Sequence, residues 1–182
     1  MFNKKELIDL LKEFSFERRK VTLASGTESD FYIDCKQSML TAKGHAIIGE
    51  MISFYLNNFT NVEAIAGVEL GGCAIASAVS LTSYFNNCPI PALYIRKSKK
   101  DHGTSNLIEG SKSTYPGMRV VILEDVITTG NSVLYAATIL RQHGLIPIGV
   151  IAIVDRLEGG YEKLINNNLP SISLTCKNDF FD

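Results

Sequence analysis

Apolar residues follow two alternating rhythms along this chain. In MFNKKELIDLLKEF, residues Leu7, Ile8, Leu10, Leu11 and Phe14 recur at helical spacing between charges, which predicts an amphipathic helix. FYIDCK (31–36) reads as a short strand. KGHAIIGEMISFYLNNF (43–59) returns to helical spacing, with Ile47, Ile48, Met51, Ile52, Tyr55, Leu56 and Phe59 on one face. VEAIAG (62–67) is strand-like, GGCAIASAVSLTSYF (71–85) is a helix of small residues, and PALYI (91–95) is strand-like again. The rhythm continues through a strand at 120–124, a helix over about 131–143, the strand IPIGVIAIV (146–154), a helix near 158–166 and a last strand SISL (171–174).

Strands that are almost continuously apolar must be buried on both faces, and strands alternating with helices connect in parallel. The pattern therefore predicts an α/β fold, a parallel sheet with helices on both faces, formed as a single domain over 1–182. Only RKSKKDHGTSNLIEGSKSTYP (96–116) breaks the alternation. It is too long for an ordinary connection in a compact domain, which marks it as a functional or disordered loop.

Composition changes this picture only by exclusion. A 182-residue chain that is 46% hydrophobic can bury one sizeable core. With a formal net charge of -1 it lacks the broad basic surface of a nonspecific nucleic-acid binder, so no nucleic-acid partner is expected and any anion site is local. No apolar stretch approaches the ~18 residues of a membrane span, and the first residues contain no apolar h-region, so a soluble protein of the cytoplasm is expected, without a membrane partner. Cys35, Cys73, Cys88 and Cys176 form no CxxC pair, which fits free thiols in a reducing compartment.

The candidate chemistry lies in VVILEDVITTGNS (120–132). Val120, Val121, Ile122 and Leu123 read as a buried strand, and Glu124 and Asp125 are expected where it ends. Ligands bind beyond the carboxyl ends of strands in an open parallel sheet. TTGNS opens the next helix, whose first N–H groups have no internal partners, so the turn suits a phosphate. Thr128, Thr129 and Ser132 add hydroxyl donors, and Gly130 permits close approach. There is no GxxxxGK[ST] and no GxGxxG after a strand. Carboxylates beside a phosphate need another partner, and vicinal ribose hydroxyls provide one. Together these residues point to a ribose 5-phosphate group; the bland alternative is an ordinary helix cap.

This string resembles the binding motif for 5-phosphoribosyl 1-diphosphate (PRPP) in the type I phosphoribosyltransferases. LASGTESDFYID (23–34), RKSKKDHG (96–103) with IEG (108–110), and VDR (154–156) extend the likeness over nearly the whole chain, towards the orotate-using members. The resemblance implies a small N-terminal hood over roughly 1–40 and a mobile catalytic loop over roughly 96–116. It implies transfer of ribose 5-phosphate from PRPP to N1 of orotate, giving orotidine 5′-monophosphate and pyrophosphate in pyrimidine biosynthesis, with Mg²⁺ carried on the pyrophosphate and no direct protein ligand.

The implied PRPP site comprises Arg96, Lys97, Lys100 and His102 with Glu124, Asp125, Val126, Ile127, Thr128, Thr129, Gly130, Asn131 and Ser132. Lys100, His102 and Asp125 are the implied catalytic residues, and the charge state of His102 stays open. Ser25, Phe31, Tyr32, Thr128 and Arg156 are the implied orotate site: Phe31 and Tyr32 flank the ring, and Arg156 pairs with the carboxylate or the carbonyl oxygens. The family often carries a lysine where this chain has Ala24, and another in the turn that reads VELGG (68–72) here. The resemblance further implies a homodimer whose loop is shared in trans. A purine or other nucleobase phosphoribosyltransferase, and a non-catalytic PRPP sensor, are the competing readings.

Overall fold

The computed structural model describes residues 3–22, 28–98 and 106–181. In chain order the elements are α1 (Lys4–Phe14), β1 (Phe16–Glu17), β2 (Val21–Thr22), β3 (Glu28–Ser29), β4 (Tyr32–Ile33), α2 (Cys35–Met39), α3 (Ala42–Tyr55), β5 (Ala64–Val68) and α4 (Gly71–Phe85). They continue with β6 (Ala92–Ile95), β7 (Ile108–Glu109), β8 (Arg119–Ile127), α5 (Asn131–Gln142), β9 (Ile146–Asp155), α6 (Gly160–Asn166) and β10 (Ser171–Cys176).

Six strands form the central sheet in the order β10-β9-β8-β5-β6-β7, all neighbours parallel except β7 against β6. Strand periodicity sends successive side chains to opposite faces, so β5, wholly buried, feeds two cores. Ile65 joins Val121, Leu123, Ile151 and the apolar faces of α1, α3 and α4. Ala64 and Ala66 join Val120, Ile122, Val150 and the face of α5. The predicted α/β layering with helices on both faces is therefore found.

Three expectations change. FYIDCK contributes only the two residues of β4, because Asp34 ends the strand and caps α2, its Oδ1 accepting from the Lys36 N–H at 3.2 Å. The stretch 96–116 contains β7, whose Ile108 is buried by pairing with Ile95 and adds one antiparallel edge strand. Finally, β8 does not stop at the two acids. Its pairing with β9 runs on through Val126↔Val154 and Ile127↔Asp155, so Glu124 and Asp125 lie inside the strand.

The order also fixes where a crevice opens. From β5 the chain moves outward through β6 and β7, and then returns to β8 on the other side of β5. Beyond the carboxyl ends of β5 and β8 the connections therefore part in opposite directions, which is where open sheets of this kind bind ligands.

Candidate functional site

At that crevice lies a cavity of about 260 Å³ lined by Lys36, Glu69, Leu70, Gly71, Lys97, Glu124, Asp125, Val126 and Ser132. A smaller one of about 60 Å³, lined by Thr128, Thr129, Gly130, Asn131 and Ser132 among others, shares Glu124, Val126 and Ser132 with it. The two are contiguous parts of one site.

The smaller part is lined by the residues from which a phosphate cup is expected. Gly130 precedes α5 in the left-handed region (φ 75°), and no side chain caps the helix. The first N–H groups of a twelve-residue helix thus face the cup together with its positive dipole end. From outside, α6 closes it: a Cβ on Gly160 would stand 2.5 Å from the Thr128 carbonyl oxygen, so glycine allows the two backbones to meet. Lys163 of α6 donates to Asn131 Oδ1 at 2.6 Å, adding a cation at the rim.

The larger part holds the acids. Glu124 is only 6% exposed, its Oε1 accepting from the Asp125 N–H at 3.1 Å. Burial first, and then the neighbouring Asp125, push its carboxyl well above the usual glutamate range, while Lys97 opposes the shift. Asp125 is more open, with Oδ1 accepting from the Val126 N–H at 3.0 Å. Gly71 permits this placement: a Cβ there would stand 2.2 Å from Asp125 Oδ2.

Lys97 is brought to the cavity by its backbone. Its N–H donates to Glu69 Oε1 at 2.5 Å, and its carbonyl accepts from the Tyr135 hydroxyl at 3.4 Å. Arg96 turns instead to Glu109 on β7, Nη1 to Oε1 3.4 Å. Burial raises the thiols of Cys35, well above its ordinary value, and of Cys73, to about 11. Both stay protonated near neutral pH, so neither is an activated sulfur nucleophile.

Arg156 follows β9, its side chain 12% exposed. Its backbone N–H donates to the Ile127 carbonyl at 3.0 Å, its Nε to Glu158 Oε1 at 3.0 Å, and its Nη2 to the Phe31 carbonyl at 3.2 Å. It thereby ties the end of β9 to both the cup and the N-terminal segment. Tyr32 is half-buried, with the Arg19 guanidinium 3.9 Å over its ring. The expectation that the Phe31 ring flanks a ligand is corrected. That ring is fully buried, 5.3 Å from Phe16 and 5.4 Å from Phe180 between centroids, because strand alternation points it into the core and its neighbour outward. Phe31 meets Arg156 through its carbonyl and through its ring, whose centroid lies 5.5 Å from the guanidinium carbon.

Ser25, Lys100 and His102 lie outside the described residues. Lys36, Glu69 and Leu70 line the cavity although sequence reasoning did not select them. The N-cap pattern at Asp34 could have exposed the helix that carries Lys36; nothing local singles out Glu69. No group of three or more His, Cys, Asp or Glu among the described residues could hold a metal ion. No helix among them is long and apolar enough to cross a membrane.

Residues 36–173 match the family model of the phosphoribosyl transferase domain. A curated relative from Sorangium cellulosum (strain So ce56), an orotate phosphoribosyltransferase, is 55% identical over 97% of this chain and 92% of its own. Among solved structures, the Mycobacterium tuberculosis H37Rv orotate phosphoribosyltransferase in complex with PRPP superposes with a TM-score of 0.79 at 31% identity, covering 97% of this chain and 98% of that one. The orotate phosphoribosyltransferase of Aeropyrum pernix gives 0.78 at 27% identity, covering 96% and 95%.

Proposed function

The chain belongs to the phosphoribosyltransferase family, and we propose that it is an orotate phosphoribosyltransferase of pyrimidine biosynthesis, working in the cytoplasm. The observation that carries this reading is the contiguity of an uncapped helix N-terminus with a cavity holding Glu124 and Asp125, Lys97 across it and Arg156 beyond. The cup takes the 5-phosphate, and the two acids take the ribose hydroxyls. Breaking the bond from C1 to the pyrophosphate oxygen leaves positive charge on the ribose, which Asp125 favours, and negative charge on the departing group, which Lys97 meets. N1 of orotate then bonds to C1 as its N1–H proton passes to the departing pyrophosphate, with Arg156 holding the base through directional donors.

The acidic lining of Glu69, Glu124 and Asp125 suits a diphosphate that arrives with a divalent cation, because negative charge on that lining would repel a bare one. When bound, Mg²⁺ neutralises charge on the pyrophosphate. Residues over roughly 1–40 act as a hood on the base, and the loop over 96–116 closes across the site with Lys100 and His102 on the leaving group, excluding water that would capture the ribosyl cation. The test is loss of orotate absorbance on adding PRPP and Mg²⁺, with adenine, hypoxanthine and uracil as controls; turnover of a control base without orotate turnover refutes the base assignment.

The active form is a homodimer in which each loop serves the neighbouring site. A Lys100→Ala chain keeps a sound pocket, and an Asp125→Asn chain keeps a sound loop. Mixed one to one, about half the dimers are hybrids with one intact site each, so about a quarter of wild-type activity returns. Parental activity after subunit exchange has been verified by tagged pull-down refutes the shared loop.

A further inference from the structure

Lys36 is the second residue of a five-residue helix. In so short a helix the first and last turns overlap, so the dipole gives no strong reason for or against a lysine there. Its ammonium is nevertheless fixed, 2.5 Å from Asp34 Oδ1, with the side chain 39% exposed. Asp34 also caps the helix and accepts from Gln37, so the lysine is not its sole partner.

What the ammonium faces is the acid cavity. Lys36 and Lys97 are its two described basic lining residues, one on α2 and the other just after β6. The turn after β5 lends no side-chain cation, since any Cβ at Gly71 would collide with the Asp125 carboxylate. The cup accounts for the 5-phosphate, and the acids for the ribose hydroxyls. Arg156, which does not line this cavity, stands at the base end with Phe31. What remains for the wall of Gly71, Lys97 and Lys36 is the diphosphate. The helix is held against the acids from behind, Cys35 Sγ lying 3.9 Å from the Asp125 carbonyl oxygen.

We propose that Lys36, held by Asp34, is a pyrophosphate-binding residue that meets the leaving group together with Lys97. The assignment rests on the phosphoribosyltransferase reading above. Hydrogen bonding to Asp34, although opposed by burial, raises the Lys36 pKa, so the ammonium stays charged through the working pH range.

The test is calorimetric binding of Mg²⁺-pyrophosphate and of PRPP to the full chain, beside steady-state kinetics, for Lys36→Ala and Lys36→Arg. Loss of one charge-assisted hydrogen bond predicts at least ~10-fold weaker binding of both diphosphates to Lys36→Ala, with orotate KM changed less than ~3-fold. Lys36→Arg, which keeps the charge, recovers most of that loss and serves as the folding control. Wild-type affinity of Lys36→Ala for Mg²⁺-pyrophosphate overturns the proposal, and so does a loss confined to orotate. Were the wild-type enzyme to turn over another base in place of orotate, weakened pyrophosphate binding in Lys36→Ala would still support Lys36 while the base assignment fell.

Discussion

The segment 119–133 and the N-terminal segment 3–41 both reach the same site, but they are built in opposite ways. The first is one continuous strand and helix start, pinned between β5 and β9 by ladder hydrogen bonds, and it delivers both acids and the cup in nine successive residues. The second is assembled from an eleven-residue helix, two-residue strands and a five-residue helix, none of which would be stable alone. Side-chain ties from distant residues hold it. Phe16, Phe31, Phe180 and Phe181 cluster, Ser15 and Ser38 share a hydrogen bond of 2.6 Å, and Arg156 reaches Phe31 across 125 positions. A site half fixed by the sheet and half by long-range contacts can keep its phosphate and acid geometry while the base side adjusts.

The largest effect is expected in the sheet-held half. Asp125→Asn keeps the shape of the side chain and its acceptor for the Val126 N–H, but removes the charge that favours a cationic transition state. Turnover should fall by ~10²–10³ while the thermal midpoint stays close to wild type. Wild-type turnover in a folded variant would show that the strand acids only shape the pocket, and the contrast between the two halves would lose its chemical meaning.

Arg156→Ala tests the tie between the halves. Orotate affinity should drop by about 10–100-fold and PRPP affinity by less than ~3-fold, because the cup and the acids lie on other segments. Unlike Asp125→Asn it should also cost stability, of order 1–3 kcal/mol, since the buried Phe31 carbonyl is left without its donor. Calorimetry with each ligand and a denaturant titration separate these outcomes; equal losses for both ligands would mean that Arg156 holds the whole site rather than the base end.

The same contrast explains what could be read from the chain. The strand, the acids and the TTGNS turn were legible because each signal lies within a few residues of the next. The strand's true end was not, since β8 continues past its apolar run only because β9 lies alongside to pair with Val126 and Ile127. Phe31 looked like half of an aromatic pair facing a ligand. The partners that draw it inward, Phe180 and Phe181, lie at the other end of the sequence. Lys36 stood inside a stretch that reads as strand, and its role depends on which wall α2 faces, which no local pattern carries.

The smallest effect concerns Glu124, where the sheet buries an acid at a cost. Its carboxyl is raised in the folded chain, by burial first, above the ordinary glutamate value of 4.5. A raised folded value means that the folded state holds the proton more tightly than the unfolded one. The favourable contribution is therefore complete below 4.5 and is lost as pH climbs through the raised folded value, since the unfolded chain releases its proton first. Glu124→Gln cannot titrate and keeps an acceptor for the Asp125 N–H. Below pH 4.5 the variant and the wild type should melt together, and the variant should gain on the wild type as pH rises to 8, by about 2–4 °C for each kcal/mol recovered. A melting-temperature difference that is flat across this range would mean that Glu124 is solvated well enough to ionise normally despite its burial in the strand.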